Sequence, residues 1–247
     1  MGAGFRRIVS LSPSVTENLF AIGAGGLLVG VTTACDFPEA AGRLPRVGDF
    51  RRPSWERILS LRPDAVLVES ATLKPADVAA IRERAGCRVE VLAPRTVDDV
   101  VKNLRQLGHW CGLGRDAESL AGQLEARIAA VGRGVRGRTP PRVFVEVSES
   151  PLYAAGPGSF VDDLVRRAGG RNVVEGREPF PMVSAETVLK AGVQVYVVAA
   201  KAVPGARIQR QLARGARVVV VDPDWLFRPT ARLVDGLEAL AKALRSA

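Results

Sequence analysis

The sequence predicts an α/β protein made of two similar lobes, and three observations lead there. Short apolar runs alternate with helical stretches in both halves of the chain. One helical stretch in the middle has no strand beside it. A Ser-x-Glu helix start recurs at the same place in each half, at Ser54 to Glu56 and at Ser184 to Glu186. Strand–helix–strand alternation implies mostly parallel sheets with right-handed crossovers.

In the first half, Ile8 to Leu11 reads as a strand. Ser14-Val15-Thr16-Glu17 fits a capping box, which predicts a helix from about Ser14 to Ile22, stopped by Gly23, Gly25 and Gly26. Leu27 to Thr32 is the next strand. A helix around Ser54 to Leu61, a strand from Ala65 to Val68, a helix from Val78 to Arg84, a strand from Arg88 to Leu92 and a helix from Val97 to Leu107 follow. From Asp116 to about Val131, Leu120, Leu124, Ile128 and Val131 recur at helical spacing, so this stretch reads as one long helix. Gly132 to Arg138, then Thr139-Pro140-Pro141, reads as a flexible basic linker. The expected division is residues 1–112 as an N-terminal lobe, 113–138 as connecting helix and linker, and 139–247 as a C-terminal lobe.

In the second half, Arg142 to Val147 is a strand. Ser159 to Ala168 is a helix, with Ser159 to Asp162 as its capping box and Gly169-Gly170 as its stop. Val193 to Ala199 is a strand, about Ile208 to Arg214 a helix, and Arg217 to Val221 a strand. An amphipathic helix from Pro229 to Leu244 closes the chain, with Leu233, Leu237, Leu240 and Leu244 on one face.

Composition narrows the chemistry. The 247 residues include one histidine and three cysteines. His109 has no second histidine with which to share a metal, and Cys35, Cys87 and Cys111 form no C-x-x-C pair. A protein-built zinc site, an iron–sulfur cluster and a thioredoxin-type motif are disfavoured, while one disulfide stays open. Any Ser-His-Asp mechanism would have to use His109. Gly132 to Gly137 matches G-x-G-x-x-G, but a helix precedes it where a dinucleotide site needs a strand. No phosphate loop and no G-x-S-x-G occur, so no catalytic residue and no cofactor is assigned. The net charge of +9 reads first as a solvated, arginine-rich surface and second as a sign of an anionic partner; nucleic acid is not expected. No apolar run is long enough for a transmembrane helix.

Acids in a first helical turn complement the helix dipole, which alone would explain Glu56 or Glu186. Their matched placement suggests two acidic points, one per lobe, facing a common partner. Aromatic and charged residues also collect in loops, where open α/β sheets bind ligands beyond the carboxyl ends of their strands. Asp224, Trp225 and Arg228 follow the strand ending at Val221, Phe180 precedes a helix, Tyr153 follows a strand, and Phe50 lies in a Gly/Pro-rich loop. Such walls suit a large, flat, partly apolar ligand.

These residues carry a resemblance. The stretches Arg7 to Glu17, Val29 to Thr32 with Cys35-Asp36-Phe37-Pro38, Val47 to Phe50, Glu56 through Asp64, the Gly-Ser-Phe run at Gly158, Ala168 to Asn172 and Asp224-Trp225 come in the order and spacing of a known family. The chain resembles the solute-binding proteins of ABC importers for cobalamin, ferric siderophores and haem, with the cobalamin branch closest. The resemblance implies the class III periplasmic-binding-protein fold: two Rossmann-like α/β lobes bridged by a long rigid helix, with ligand held between them. It implies a monomer outside the cytoplasm, its signal peptide removed, carrying a corrinoid or other metal chelate. It implies that Glu56 and Glu186 dock on a dimeric permease, and that Phe50, Tyr153, Phe180 and Trp225 with Asp224 and Arg228 contact ligand. Ala34 stands where the family commonly has a tyrosine, and Glu69 where some members have a tryptophan. That leaves a ferric siderophore as the alternative and haem as a lesser one, since axial ligation would fall to Tyr153. An uncharacterised doubly wound α/β enzyme is the alternative from another class.

Overall fold

The structure is a computed structural model that describes residues 4–49, 52–69, 75–201 and 213–245. The chain divides into two compact units. One comprises residues 1–94 and 98–124, the other 95–97 and 125–247.

The first unit is built on the parallel sheet β2-β1-β3-β4, made of β1 (Ile8–Ser10), β2 (Leu28–Val31), β3 (Ala65–Glu69) and β4 (Arg88–Leu92). Every residue of β3 is buried, as expected for a parallel strand covered on both faces. Helices α1 (Pro13–Ala21), α2 (Trp55–Ser60), α3 (Pro75–Ala85) and α4 (Val97–Cys111) accompany the sheet. Val9, Leu11, Val47, Ile58, Val66 and Val68 form its core.

Two expectations need correction. Helix α1 starts at Pro13, with Ser12 and not Ser14 at the N-cap, and Ser12 makes no side-chain cap bond. Proline suits the first helical position because it has no N–H to leave unsatisfied. The Ser12 hydroxyl instead accepts the Glu69 N–H at 2.9 Å, and the Ser14 hydroxyl donates to the Glu69 carboxylate. The second correction concerns the linker. Helix α5 runs over Gly114–Val135, straight through Gly132 and Gly134, and Gly137, at φ +74°, follows its end. Packing overrides the poor helix propensity of glycine there. Val131 is buried, and Val135 lies where a side chain on Gly169 would stand. Two glycines of the G-x-G-x-x-G match are therefore helical and form no phosphate turn. Residues of α5 up to Leu124 belong to the first unit, and those from Glu125 to the second.

The second unit's sheet runs β6-β5-β8-β9, with β7 also paired to β5. Its strands are β5 (Arg142–Glu149), β6 (Leu152–Ala154), β7 (Arg171–Asn172), β8 (Val195–Ala199) and β9 (Arg217–Val221). All pairings are parallel except the β5–β6 hairpin. Helix α6 (Phe160–Arg167) carries the expected cap, with the Ser159 hydroxyl accepting the Asp162 N–H at 3.1 Å. Helix α7 (Ala185–Lys190) and a closing helix, Leu233–Leu244, complete the unit. Arg127 on α5 donates to Glu238 at 2.7 and 2.9 Å and to Asp235 at 2.6 Å, which ties α5 to the closing helix. The expected helix from Ile208 to Arg214 falls largely outside the described residues.

Candidate functional site

The candidate ligand residues of the second unit stand in two groups. The first lies beyond the carboxyl ends of β8 and β9. Asp222 caps the short helix Pro223–Leu226, its carboxylate accepting the Asp224 N–H at 2.8 Å. The cap turns Asp224 toward two cations: Arg228 Nε at 3.1 Å from one carboxylate oxygen and Lys201 Nζ at 3.3 Å from the other. Only 15% of the Asp224 side chain and 21% of the Arg228 side chain are exposed, so the pair is a semi-enclosed polar fixture. Trp225 is half-buried. A side-chain carbon at Gly236 would lie 2.5 Å from the Trp225 carbonyl, so the closing helix approaches this turn more closely than alanine would allow.

The second group is an apolar strip. Residues 179–183 run along β6: the Ala154 N–H donates to Pro181 O and the Val183 N–H to Leu152 O, each at 3.0 Å, and Tyr153 bridges to Met182. Phe180 meets Phe160 edge-on, with ring centroids 6.5 Å apart. Tyr153, Phe180 and Met182 all keep large exposed surfaces, which an isolated soluble core would have hidden. Met182 and Lys201 were not singled out from the sequence. Each joins its group through sheet pairing or a long-range ion pair, which local patterning does not reveal.

In the first unit, Phe50 lies outside the described residues. Glu69 ends β3, buried, with Ser12 and Ser14 on its backbone and carboxylate. Burial pushes its carboxyl above the ordinary carboxylate range, and the Ser14 hydrogen bond offsets part of that rise. His109 is exposed at the end of α4, and its neighbour Trp110 packs against Phe5. All three cysteines are free.

Glu56 and Glu186 are exposed in the first turns of α2 and α7, and the two settings match part for part. Ser54 and Ser184 cap the helices through their hydroxyls, accepting the N–H of Arg57 at 3.4 Å and of Thr187 at 3.1 Å. Ile58 and Val188 anchor them in the core. Each helix is followed by a left-handed residue, Arg62 or Gly192. An arginine at the start of a neighbouring strand then seals the end. Arg7 donates to the Leu61 and Arg62 carbonyls at 2.6 and 3.0 Å, and Arg142 to the Ala191 carbonyl at 2.8 Å. The N–H groups of those arginines donate to the side chains of Asp64 and Gln194 at 3.1 and 2.7 Å. The Ser-x-Glu echo is thus the visible part of a larger repeated device. Glu186 also pairs with Lys190 at 2.5 Å, but both side chains are about three-quarters exposed, so water competes for both.

Two α/β units on mostly parallel sheets carry polar and aromatic groups beyond their strand ends, and the match to a family model says what class of protein they form. Residues 8–226 match the periplasmic binding protein family, and the chain belongs to it. Its fold is that of the class III members. The vitamin B12-binding protein of Vibrio cholerae serotype O1 is 29% identical over 248 residues, covering 98% of this chain and 90% of that one. The crystal structure of the periplasmic vitamin B12 binding protein BtuF of Vibrio cholerae matches with a TM-score of 0.90 at 27% identity, over 99% of this chain and 98% of that one. The apo periplasmic heme-binding protein RhuT from Roseiflexus sp. RS-1 matches with a TM-score of 0.81 at 32% identity, over 99% of both chains.

Proposed function

We propose that this chain is an extracytoplasmic solute-binding protein that captures cobalamin or a related corrinoid and hands it to the permease of an ABC importer. The observation that carries this reading is the near-complete likeness, at a TM-score of 0.90, to a vitamin B12 binding protein. It acts as a monomer and performs no chemistry on its cargo; the metal arrives already held by the ligand.

The roles follow from side-chain chemistry. A corrin ring is broad, apolar on its faces and fringed with amides. Phe50, Tyr153, Phe180 and Trp225 supply apolar contact. An amide offers an acceptor and donors, and Asp224 beside Arg228 offers the reverse set, the carboxylate accepting and the guanidinium donating. Glu56 and Glu186, held by equivalent turns, dock on cations of the permease.

Titration with cyanocobalamin and other corrinoids, followed by absorbance and calorimetry, tests the cargo. Saturable binding of a corrinoid is expected. Tight binding of a ferric siderophore or haem with none of any corrinoid overturns the assignment. Glu56→Arg with Glu186→Arg should abolish transport in reconstituted vesicles while ligand binding survives; loss of both would mean that these residues hold the fold instead.

A further inference from the structure

The charge of this chain is not spread evenly. The strands β5, β7, β8 and β9 begin in register, with Arg142 opposite Arg171 and Val195 opposite Arg217. Arg142 and Arg171 open β5 and β7, and Arg214 and Arg217 lead into β9. The exit of α5 brings Arg138 to the same edge, where it lines one hollow with Arg217 and Arg245, and Arg133 and Arg136 precede it in the chain. Lys242 and Arg245 close the final helix there, with Arg138 donating to the Arg245 carbonyl at 3.2 Å. The segments that form this edge, 132–142, 168–171, 191–195, 213–217 and 242–245, hold nine cations and no acid. That equals the net charge of the whole chain.

None of these nine cations has an ion pair among the described residues, whereas Arg43, Arg88, Arg105, Arg127, Arg166 and Arg228 elsewhere all pair with acids. Like charges gathered within a Debye length repel, so the edge is held at a cost that an anionic partner would relieve. Among the cations lies a hollow of about 410 Å³, with Arg138, Arg217 and Arg245 on its walls and Val135, Pro141 and Leu244 among its apolar lining.

We propose that this edge of the second unit docks on an anionic phospholipid bilayer, its guanidinium groups engaging headgroup phosphates. Guanidinium matches phosphate oxygens with paired hydrogen bonds. A row of cations along strand starts and helix ends addresses many phosphates at once, where a single phosphate ion would need donors converging on one point. The five segments contain no aromatic residue, so nothing there stacks a nucleic-acid base. The inference does not depend on which ligand the chain carries.

Sedimentation of the full chain with vesicles tests it, comparing phosphatidylcholine alone with phosphatidylcholine mixed with phosphatidylglycerol. Binding only to the anionic vesicles, weakening steeply with salt, is expected. Each cation near a charged surface is worth about fivefold in partitioning, so Arg138→Glu with Arg217→Glu and Arg245→Glu should weaken binding by more than about a hundredfold, the loss of three cations alone giving that factor. Arg136→Gln with Arg214→Gln, whose side chains make no hydrogen bond among the described residues, should weaken it about twentyfold. The control Arg82→Glu with Arg84→Glu and Arg115→Glu makes the same change of net charge at exposed sites in the first unit and should leave binding nearly unchanged. Equal loss in the control overturns the proposal, because net charge alone then explains the binding. Equal binding to neutral vesicles, binding to heparin or DNA without vesicles, or release from vesicles by inorganic phosphate where chloride at matched ionic strength does nothing would each overturn it too.

Discussion

Replacing Arg127 with methionine isolates the clasp between α5 and the closing helix. Methionine keeps an apolar stem and removes the guanidinium, with its two bonds to Glu238 and one to Asp235. Hydrogen bonds to charged groups contribute about 1.5–3 kcal/mol each when enclosed. Here the three side chains are 37%, 35% and 43% exposed, so water replaces much of what is lost. The discounted cost is about 1–2 kcal/mol in total, or a fall in melting temperature of about 2–6 °C. Thermal melts followed by circular dichroism measure it. The pH dependence makes the test specific. Arg127 holds the Glu238 carboxyl below its ordinary value of 4.5. That contribution is complete above the unfolded value and is lost as pH falls through the folded one. Parent and variant should therefore differ at neutral pH and converge in acid. A variant as stable as the parent at neutral pH, or a deficit that persists unchanged in strong acid, refutes the reasoning. So does simple additivity with Glu238→Gln, since residues in one network should couple.

Three further outcomes follow from single sites. Glu69→Gln should raise the melting temperature at neutral pH. The raised native value means that the folded state holds its proton better than the unfolded state, so the parent loses stability as pH climbs above 4.5, and the gap should close below it; a variant no more stable at neutral pH contradicts this. Gly156→Ala places a carbon 2.3 Å from the Glu178 carbonyl and must displace the segment bearing Phe180, so corrinoid affinity measured by calorimetry should fall about tenfold; unchanged affinity would remove Phe180 from the contact set. Cys111, buried and with Asp64 nearby, has its thiol pushed up to about 11, so it should resist iodoacetamide at neutral pH until the chain is denatured, while half-exposed Cys87 labels first. Prompt labelling of native Cys111 would contradict the packing described.

The sheets were legible because parallel strands are largely continuous apolar runs: Val195–Ala199 and Arg217–Val221 lie where hydropathy puts them. Local chemistry also located the caps at Ser54, Ser159 and Ser184. It misled at Ser14, whose hydroxyl is committed to a carboxylate far along the chain, and at Gly132, where packing partners keep a poor helix former helical. The hairpin strand Leu152–Ala154 is too short to show a period. In the candidate site, the nearness of Asp224 and Arg228 follows from their one-turn spacing, but Lys201 reaches Asp224 only because β8 and β9 are neighbours.

The arginine-sealed turn under Glu56 and Glu186 has a consequence for how the chain can change over time. The hydrogen bonds that cap and seal the Glu56 turn lie between Arg7 and Asp64, and those of the Glu186 turn between Arg142 and Gln194. Each acidic point thus has its own polar frame within its own unit. The side chains of Tyr153, Phe180 and Trp225 take no part in these bonds, so they can change while both acidic points stay as they are. On the proposed roles, a chain organised this way can exchange what it carries without renegotiating whom it meets.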